Sequence, residues 1–122
     1  MTEAKINIEI SKILGWTNFE VYTGGYVYGV PPNYLEHHPV PNYCKDLNAT
    51  HKLENAADSL FTANQWWEYI SYLNGFSSWE EWWGELTDTD KLDAVVRGSR
   101  VSAKEKAVAF LKVMGVLAKD FY

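Results

Sequence analysis

Cysteine is almost missing from this chain of 122 residues: Cys44 is its only one. No internal disulfide can staple the fold, which excludes the framework of a small disulfide-rich secreted domain. Proline is sparse as well, with 4 residues, all between Pro31 and Pro41. Long apolar runs are lacking. The longest are stretches such as Ala107–Leu111, far short of the roughly 20 residues that span a bilayer. The opening segment Met1–Ile10 carries Glu3, Lys5, Asn7 and Glu9 and holds no apolar block of the signal-peptide kind. These absences lead us to expect a cytoplasmic protein with no membrane contact. Excess positive charge is lacking too, with 11 bases against 16 acids and a net charge of −5. Without a net basic face, nonspecific nucleic-acid binding is disfavoured.

Apolar residues are plentiful. Hydrophobic side chains make up 47% and aromatics 16%, with 22% charged, so an ordered core is affordable and disorder is not expected. The length suits one domain spanning residues 1–122. Charge is unevenly laid out. Residues 80–96 carry Glu80, Glu81, Glu85, Asp88, Asp90 and Asp93 against Lys91. Residues 97–122 carry Arg97, Arg100, Lys104, Lys106, Lys112 and Lys119 against Glu105 and Asp120. The plain reading is two solvated helix faces, with room for one local anion site in the basic tail.

Periodicity sketches the elements. Ile6, Ile10, Ile13 and Leu14 form a helical stripe over Thr2–Leu14, which Gly15 ends. Asn18–Thr23 and Tyr26–Val30 alternate as strands, and Gly24-Gly25 between them reads as a two-residue hairpin turn, since primed turns need positive φ. Residues 31–45 read as an irregular loop. A second helix is expected from Cys44–Asp46 to Leu60, and a third from the capping box Thr62–Gln65, stopped at Asn74-Gly75. Ser78–Glu81 is another box, opening a short helix with Trp79, Trp82 and Trp83. Residues 87–101 are ambiguous. Thr87 or Asp88 suits a helix cap, yet Leu92, Ala94 and Val96 alternate, and the reading leans to an extended segment pairing with the hairpin. Ser102–Glu105 is a third capping box and opens a last helix that turns Ala107, Phe110, Leu111 and Met114 inwards.

Three stretches in order carry a resemblance. Ile8–Trp16 (IEISKILGW), Pro41–Glu54 (PNYCKDLNATHKLE) and Val101–Val116 (VSAKEKAVAFLKVMGV) resemble the opening helix, the tyrosine loop and the closing helix of the phage ABA sandwich family. Gln65-Trp66 followed by Tyr69 also fits. The resemblance implies a small α+β fold, an α-β-α sandwich with an antiparallel hairpin-based sheet and four to five helices, encoded by a phage or prophage. It implies little about mechanism. Cys44 stands where relatives often place serine or threonine, so Asp46 is expected to cap the second helix two residues late. Residues 79–90 look like a Trp-rich acidic insertion.

The candidate chemistry is modest. His37, His38, Cys44 and His51 hold metal-ligand types, but structural zinc favours short-spaced ligand pairs, and adjacent loop histidines point apart; no metal is expected. Cys44 near a helix start, with His51 downstream, has the elements of a nucleophile, yet nothing resembles a nucleophile turn and a lone cysteine is usually a small hydrophobe. Gly24-Gly25 joins two strands, not a strand to a helix, so phosphate-loop logic fails and no cofactor is expected. An enzyme is therefore not the favoured reading. Tyr26, Tyr28, Tyr43, Asn48 and His51, with Arg97, Arg100 and Lys104 as an anion clamp, would suit a nucleotide-type anion: stacking for a base, charge for phosphates. The first expectation is a non-catalytic phage protein that sequesters such a ligand, a host defence signal among the options. The plainer alternative for Tyr43, Asn48 and His51 is a polar network tying the loop to its helix. The second functional reading is a host-protein inhibitor or adaptor, or a self-associating protein, using Trp79, Trp82 and Trp83, because adjacent tryptophans are hard to bury together.

Overall fold

The hydroxyl of Thr2 opens the first helix by accepting the Lys5 N–H at 3.2 Å, and α1 then runs Glu3–Ile13. In the computed structural model, which describes residues 1–75 and 87–118, seven further elements follow. They are β1 (Thr17–Val21), β2 (Val27–Val30), β3 (His38–Pro39), α2 (Leu47–Ala57), α3 (Ala63–Leu73), α4 (Asp88–Ser99) and α5 (Ala103–Val113). The chain is a mixed α+β fold, with five helices and a three-stranded antiparallel sheet among the described residues. No described helix is long and apolar enough to cross a membrane.

Helix α5 is the hub on which α1, α2 and α3 pack, while α4 packs on α3. Ala107, Phe110 and Leu111 of α5 are fully buried against Ile6 and Ile10 of α1, Leu53 and Ala57 of α2, and Tyr69 of α3. Capping chemistry sets the starts. Asp46 accepts the Asn48 N–H at 2.9 Å, so α2 begins where the weak cap at Cys44 leads one to expect. Thr62 and Gln65 exchange both capping-box bonds at the start of α3. Helix α2 ends at Ala57 rather than Leu60, and Leu60 is exposed.

Residues 88–99 correct the extended reading: they are helical. Thr87 accepts the Asp90 N–H at 3.2 Å, and the Asp90 carboxylate accepts the Thr87 N–H at 3.4 Å, a second reciprocal box. The alternation of Leu92 and Val96 misleads because those side chains face outwards, whereas the small Ala94 and Gly98, four residues apart, face α3. A Cβ on Gly98 would sit 3.4 Å from Leu73, and Asn74 Nδ2 donates to Ala94 O at 2.9 Å. Small residues let the two helices approach closely.

The sheet has order β1-β2-β3. Glu20 pairs with Tyr28 and Val21 with Val27, after an irregularity between Thr17 and Glu20 where Asn18 takes φ +53°. The connection is longer than a two-residue turn. Gly25 N–H donates to Tyr22 O at 3.2 Å and Tyr22 N–H to Tyr26 O at 2.8 Å, leaving Thr23, Gly24 and Gly25 in the loop. Both glycines have positive φ, +90° and +83°, which relieves the wider turn of strain. The loop expected over 31–45 contributes the short β3. His38 pairs with Gly29 and Pro39 with Tyr28, on an edge where proline's missing N–H is tolerated. Phe19 and Trp16 lie over Gly29, where an added Cβ would come within 2.9 Å of the Phe19 ring.

Candidate functional site

Strand pleating decides which hairpin side chains meet. In β2, Val27 and Gly29 are buried while Tyr28 and Val30 are half-exposed, so alternate residues face opposite sides. Glu20 lies opposite Tyr28 across the ladder, and Tyr22 and Tyr26 extend the same two rows into the loop. The Tyr22 and Tyr28 rings stand nearly perpendicular, at 85°, with centroids 5.4 Å apart. The Tyr26 ring rests beside Gly24, whose Cβ, if present, would meet it at 3.3 Å. Together Tyr22, Tyr26 and Tyr28 line an open hollow of about 400 Å³, near the lower end of small-ligand sites. Tyr26 is 69% exposed and Tyr22 50%.

Acidic groups set the electrostatics there. Tyr22 Oη donates to Glu20 Oε2, and this bond to a carboxylate raises the Tyr22 phenol above its ordinary value. His37 Nε2 lies 2.9 Å from Asn18 O and 4.0 Å from Glu20 Oε1. No lysine or arginine occurs between Lys12 and Lys45.

The eight ligand residues expected from the sequence are split by the fold. Tyr26 and Tyr28 line the hollow. Tyr43 is 4% exposed and belongs to the helical core, and burial raises its phenol pKa. Its ring is therefore a packing group. Asn48 and His51 lie on the exposed side of α2. Arg97 and Arg100 sit at the carboxyl end of α4, where a cation complements the helix dipole. Lys104 reaches Glu3 Oε1 at 3.8 Å, and Lys45 reaches Glu3 Oε2 at 3.9 Å. None of these cations lines the tyrosine hollow. Trp79, Trp82 and Trp83, with the whole proposed insertion apart from its last residues, lie outside the described residues. Trp66 and Trp67 are both half-buried, and Trp66 packs edge-on against Phe61 and Tyr69.

Cys44 is 5% exposed and its Sγ faces Glu3 O at 3.9 Å. Burial, with the Glu3 charge beside it, pushes the thiol from 9.0 up to about 11. This is opposite to the thiolate stabilisation that a helix start can give. Among the described residues no three His, Cys, Asp or Glu side chains come together as metal ligands would. Alkylation of native Cys44 at pH 8 is therefore expected to run at least on the order of a hundredfold slower than in the urea-unfolded chain. The folded state holds this proton more tightly, so stability falls as pH rises from 9.0 towards about 11. Cys44→Ala is expected to flatten part of that alkaline limb. Fast native alkylation would contradict the burial argument.

Two groups of residues escaped sequence reading. Tyr22 went unremarked as a site residue, although the base-free stretch around it was visible. Lys106 was counted among solvated bases, yet it is 2% exposed and bonds Glu54 Oε1 at 3.3 Å. Tyr69 Oη donates to the other oxygen of Glu54 at 3.3 Å. The carboxylate thus ties α2, α3 and α5 together. Burial, with the Glu54 charge nearby, drives the Tyr69 phenol well above its usual range.

Compared with protein-family models, curated proteins and solved structures, the chain matches none.

Proposed function

We propose that this chain is a non-catalytic binding protein, of the phage accessory kind its sequence resembles, and that the tyrosine hairpin is its ligand-recognition surface. One observation carries the reading: three tyrosines from a single hairpin wall a hollow of about 400 Å³, with Tyr22 and Tyr26 exposed and Tyr28 half-exposed. Tyrosine supplies contact area at small conformational cost, having only two side-chain torsions to fix. The ladder fixes the backbone from which Tyr28 projects, and the Tyr22 and Tyr28 rings pack edge to face with centroids 5.4 Å apart. Catalysis is a poorer reading, because the one thiol keeps its proton and the Glu54–Lys106–Tyr69 group is spent on joining helices.

The nucleotide-type anion expected from the sequence needs cations beside the rings. Arg97, Arg100 and Lys104 stand outside the hollow, and the hairpin segment offers Glu20 instead. The reading accordingly keeps small-ligand binding and gives up the anion clamp.

The test is an NMR titration of the full chain with a fragment panel that includes nucleotides. Shifts are expected to centre on residues 20–28. Tyr26→Ala should weaken binding by about tenfold or more, since truncating a central aromatic anchor commonly costs roughly 2 kcal/mol. Its melting temperature should hardly move, because the ring is 69% exposed. Shifts centred on another surface, or binding indifferent to Tyr26→Ala, would overturn the reading.

A further inference from the structure

The geometry points to a methylated ammonium, a small free organic cation, as the ligand of the Tyr22–Tyr26–Tyr28 hollow, with Glu20 as its counter-charge. This inference rests on the reading of the hairpin as a recognition surface and adds the chemical class.

The first support is the walls. Aromatic rings carry negative electrostatic potential on their faces, and a cation over several such faces is attracted by each. Tyr22 and Tyr28 meet at 85° with centroids 5.4 Å apart, forming a corner, and Tyr26 completes the lining. Perpendicular rings suit a rounded cation better than a flat base, which stacks between parallel faces.

The second support is charge. Glu20 does not itself line the hollow, but it lies directly opposite Tyr28 in the ladder and accepts the hydroxyl of Tyr22, two residues that do. Its side chain is 53% exposed, so the carboxylate remains open to a ligand. Accepting that proton also enriches the Tyr22 ring in electron density. With no lysine or arginine between Lys12 and Lys45, no fixed cation of this segment competes for the carboxylate or repels the guest. His37 Nε2, 4.0 Å from Glu20 Oε1, also lies 2.9 Å from Asn18 O.

Hydrogen bonding separates a methylated ammonium from a primary one. In so open a hollow a primary ammonium keeps its N–H bonds to water or to Glu20 only by standing off the ring faces, and contact with those faces gives the bonds up. A quaternary ammonium has no N–H to surrender. It gives up only loosely ordered water around its methyl groups, which favours transfer onto an aromatic wall. The hollow, at about 400 Å³, leaves room for the body that such a cation carries.

The test is isothermal titration of the full chain with choline and with its carbon analogue, in which a tert-butyl group replaces the trimethylammonium. Shape is nearly conserved between them and charge is not. Choline is expected to bind tighter than the analogue on the order of tenfold, the range of cation–π contacts. Glu20→Gln should weaken choline several-fold and leave the analogue unchanged, and raised salt should act in the same sense. Tyr26→Ala should weaken both. Equal affinity for the two compounds overturns the cation while the hairpin remains a binding surface. Choline silent while another panel member shifts residues 20–28 has the same meaning. If neither compound binds and no panel member moves the hairpin resonances, both the cation and the recognition surface are wrong. Unchanged choline affinity in Glu20→Gln would remove Glu20 from its assigned role and overturn the inference as stated.

Discussion

Glu54→Leu is expected to destabilise the chain by about 3–5 kcal/mol, the usual result of stranding a buried charge, whereas Lys106→Met should cost far less. The asymmetry comes from burial. The Lys106 side chain is 2% exposed and that of Glu54 29%. Without that carboxylate, Lys106 keeps a side chain that is 2% exposed and loses the ion-pair partner at 3.3 Å. Without the lysine, Glu54 still reaches solvent and still accepts the Tyr69 hydroxyl, bonded at 3.3 Å in the parent chain. Methionine has nearly the length of lysine and suits the apolar site. The double change should recover most of the loss, since replacing a buried pair by apolar groups of similar volume is commonly near neutral. Urea unfolding checks this, with a shift in midpoint at constant slope marking a change in stability alone. For a domain of this size the whole stability is only about 5–15 kcal/mol, so the single carboxylate change should be plain to see. Equal losses from the two single variants, or an additive double, would refute the burial argument.

The same lysine shows how far the sequence could be read. Lys106 falls on the stripe of Phe110, Val113 and Leu117, all buried, but the inward face was read from Ala107, Phe110, Leu111 and Met114 alone. Its charge made the exposed reading natural, because lysine is seldom buried unless paired. The pairing partner sits 52 positions away, and no local pattern reveals it. Caps were legible, since a side chain and a backbone N–H two or three residues on define them locally: Asp46 and Thr62 act as read, and Ser102 accepts the Glu105 N–H at 3.2 Å. Helix α4 was not, because the periodicity of its large residues reports the solvent face while Ala94 and Gly98 make the contact. The hairpin was legible in place and in its outward tyrosines. The turn length was not, because Gly24-Gly25 fits either a two-residue or a three-residue loop, and that choice is what sets Tyr22 beside Tyr28. The position of the expected anion clamp was not legible for a related reason. Cations and rings were expected to converge on one surface, whereas Arg97, Arg100 and Lys104 do not line the hollow of the hairpin tyrosines.

Phe61→Ala is the second change with a large expected effect, roughly 3–5 kcal/mol as for other buried aromatic truncations. Phe61 lies in the link between α2 and α3, where its N–H donates to Ala57 O at 2.7 Å. Its ring stacks on Phe110 at 5.5 Å, meets Trp66 edge-on at 5.0 Å and leans on Tyr69 at 5.9 Å. One side chain from a loop thus fills the junction of α3 and α5. Because it also steadies the Tyr69 ring, its loss should loosen the hydroxyl that Glu54 accepts. A double-mutant cycle between Phe61→Leu and Tyr69→Phe is therefore expected to show coupling of about 0.5–3 kcal/mol, the range for residues in contact. Additive behaviour would mean that ring packing and the Glu54 bond are independent. The milder Phe61→Leu variant, still folded, should bind hairpin ligands as the parent does. The tyrosine rows are held by the β1–β2 ladder and the glycine loop, and the aromatic junction contributes to neither. Recognition and stability would then reside in different parts of the chain, and a weakened ligand response in Phe61→Leu would show instead that the helices set the hairpin's geometry.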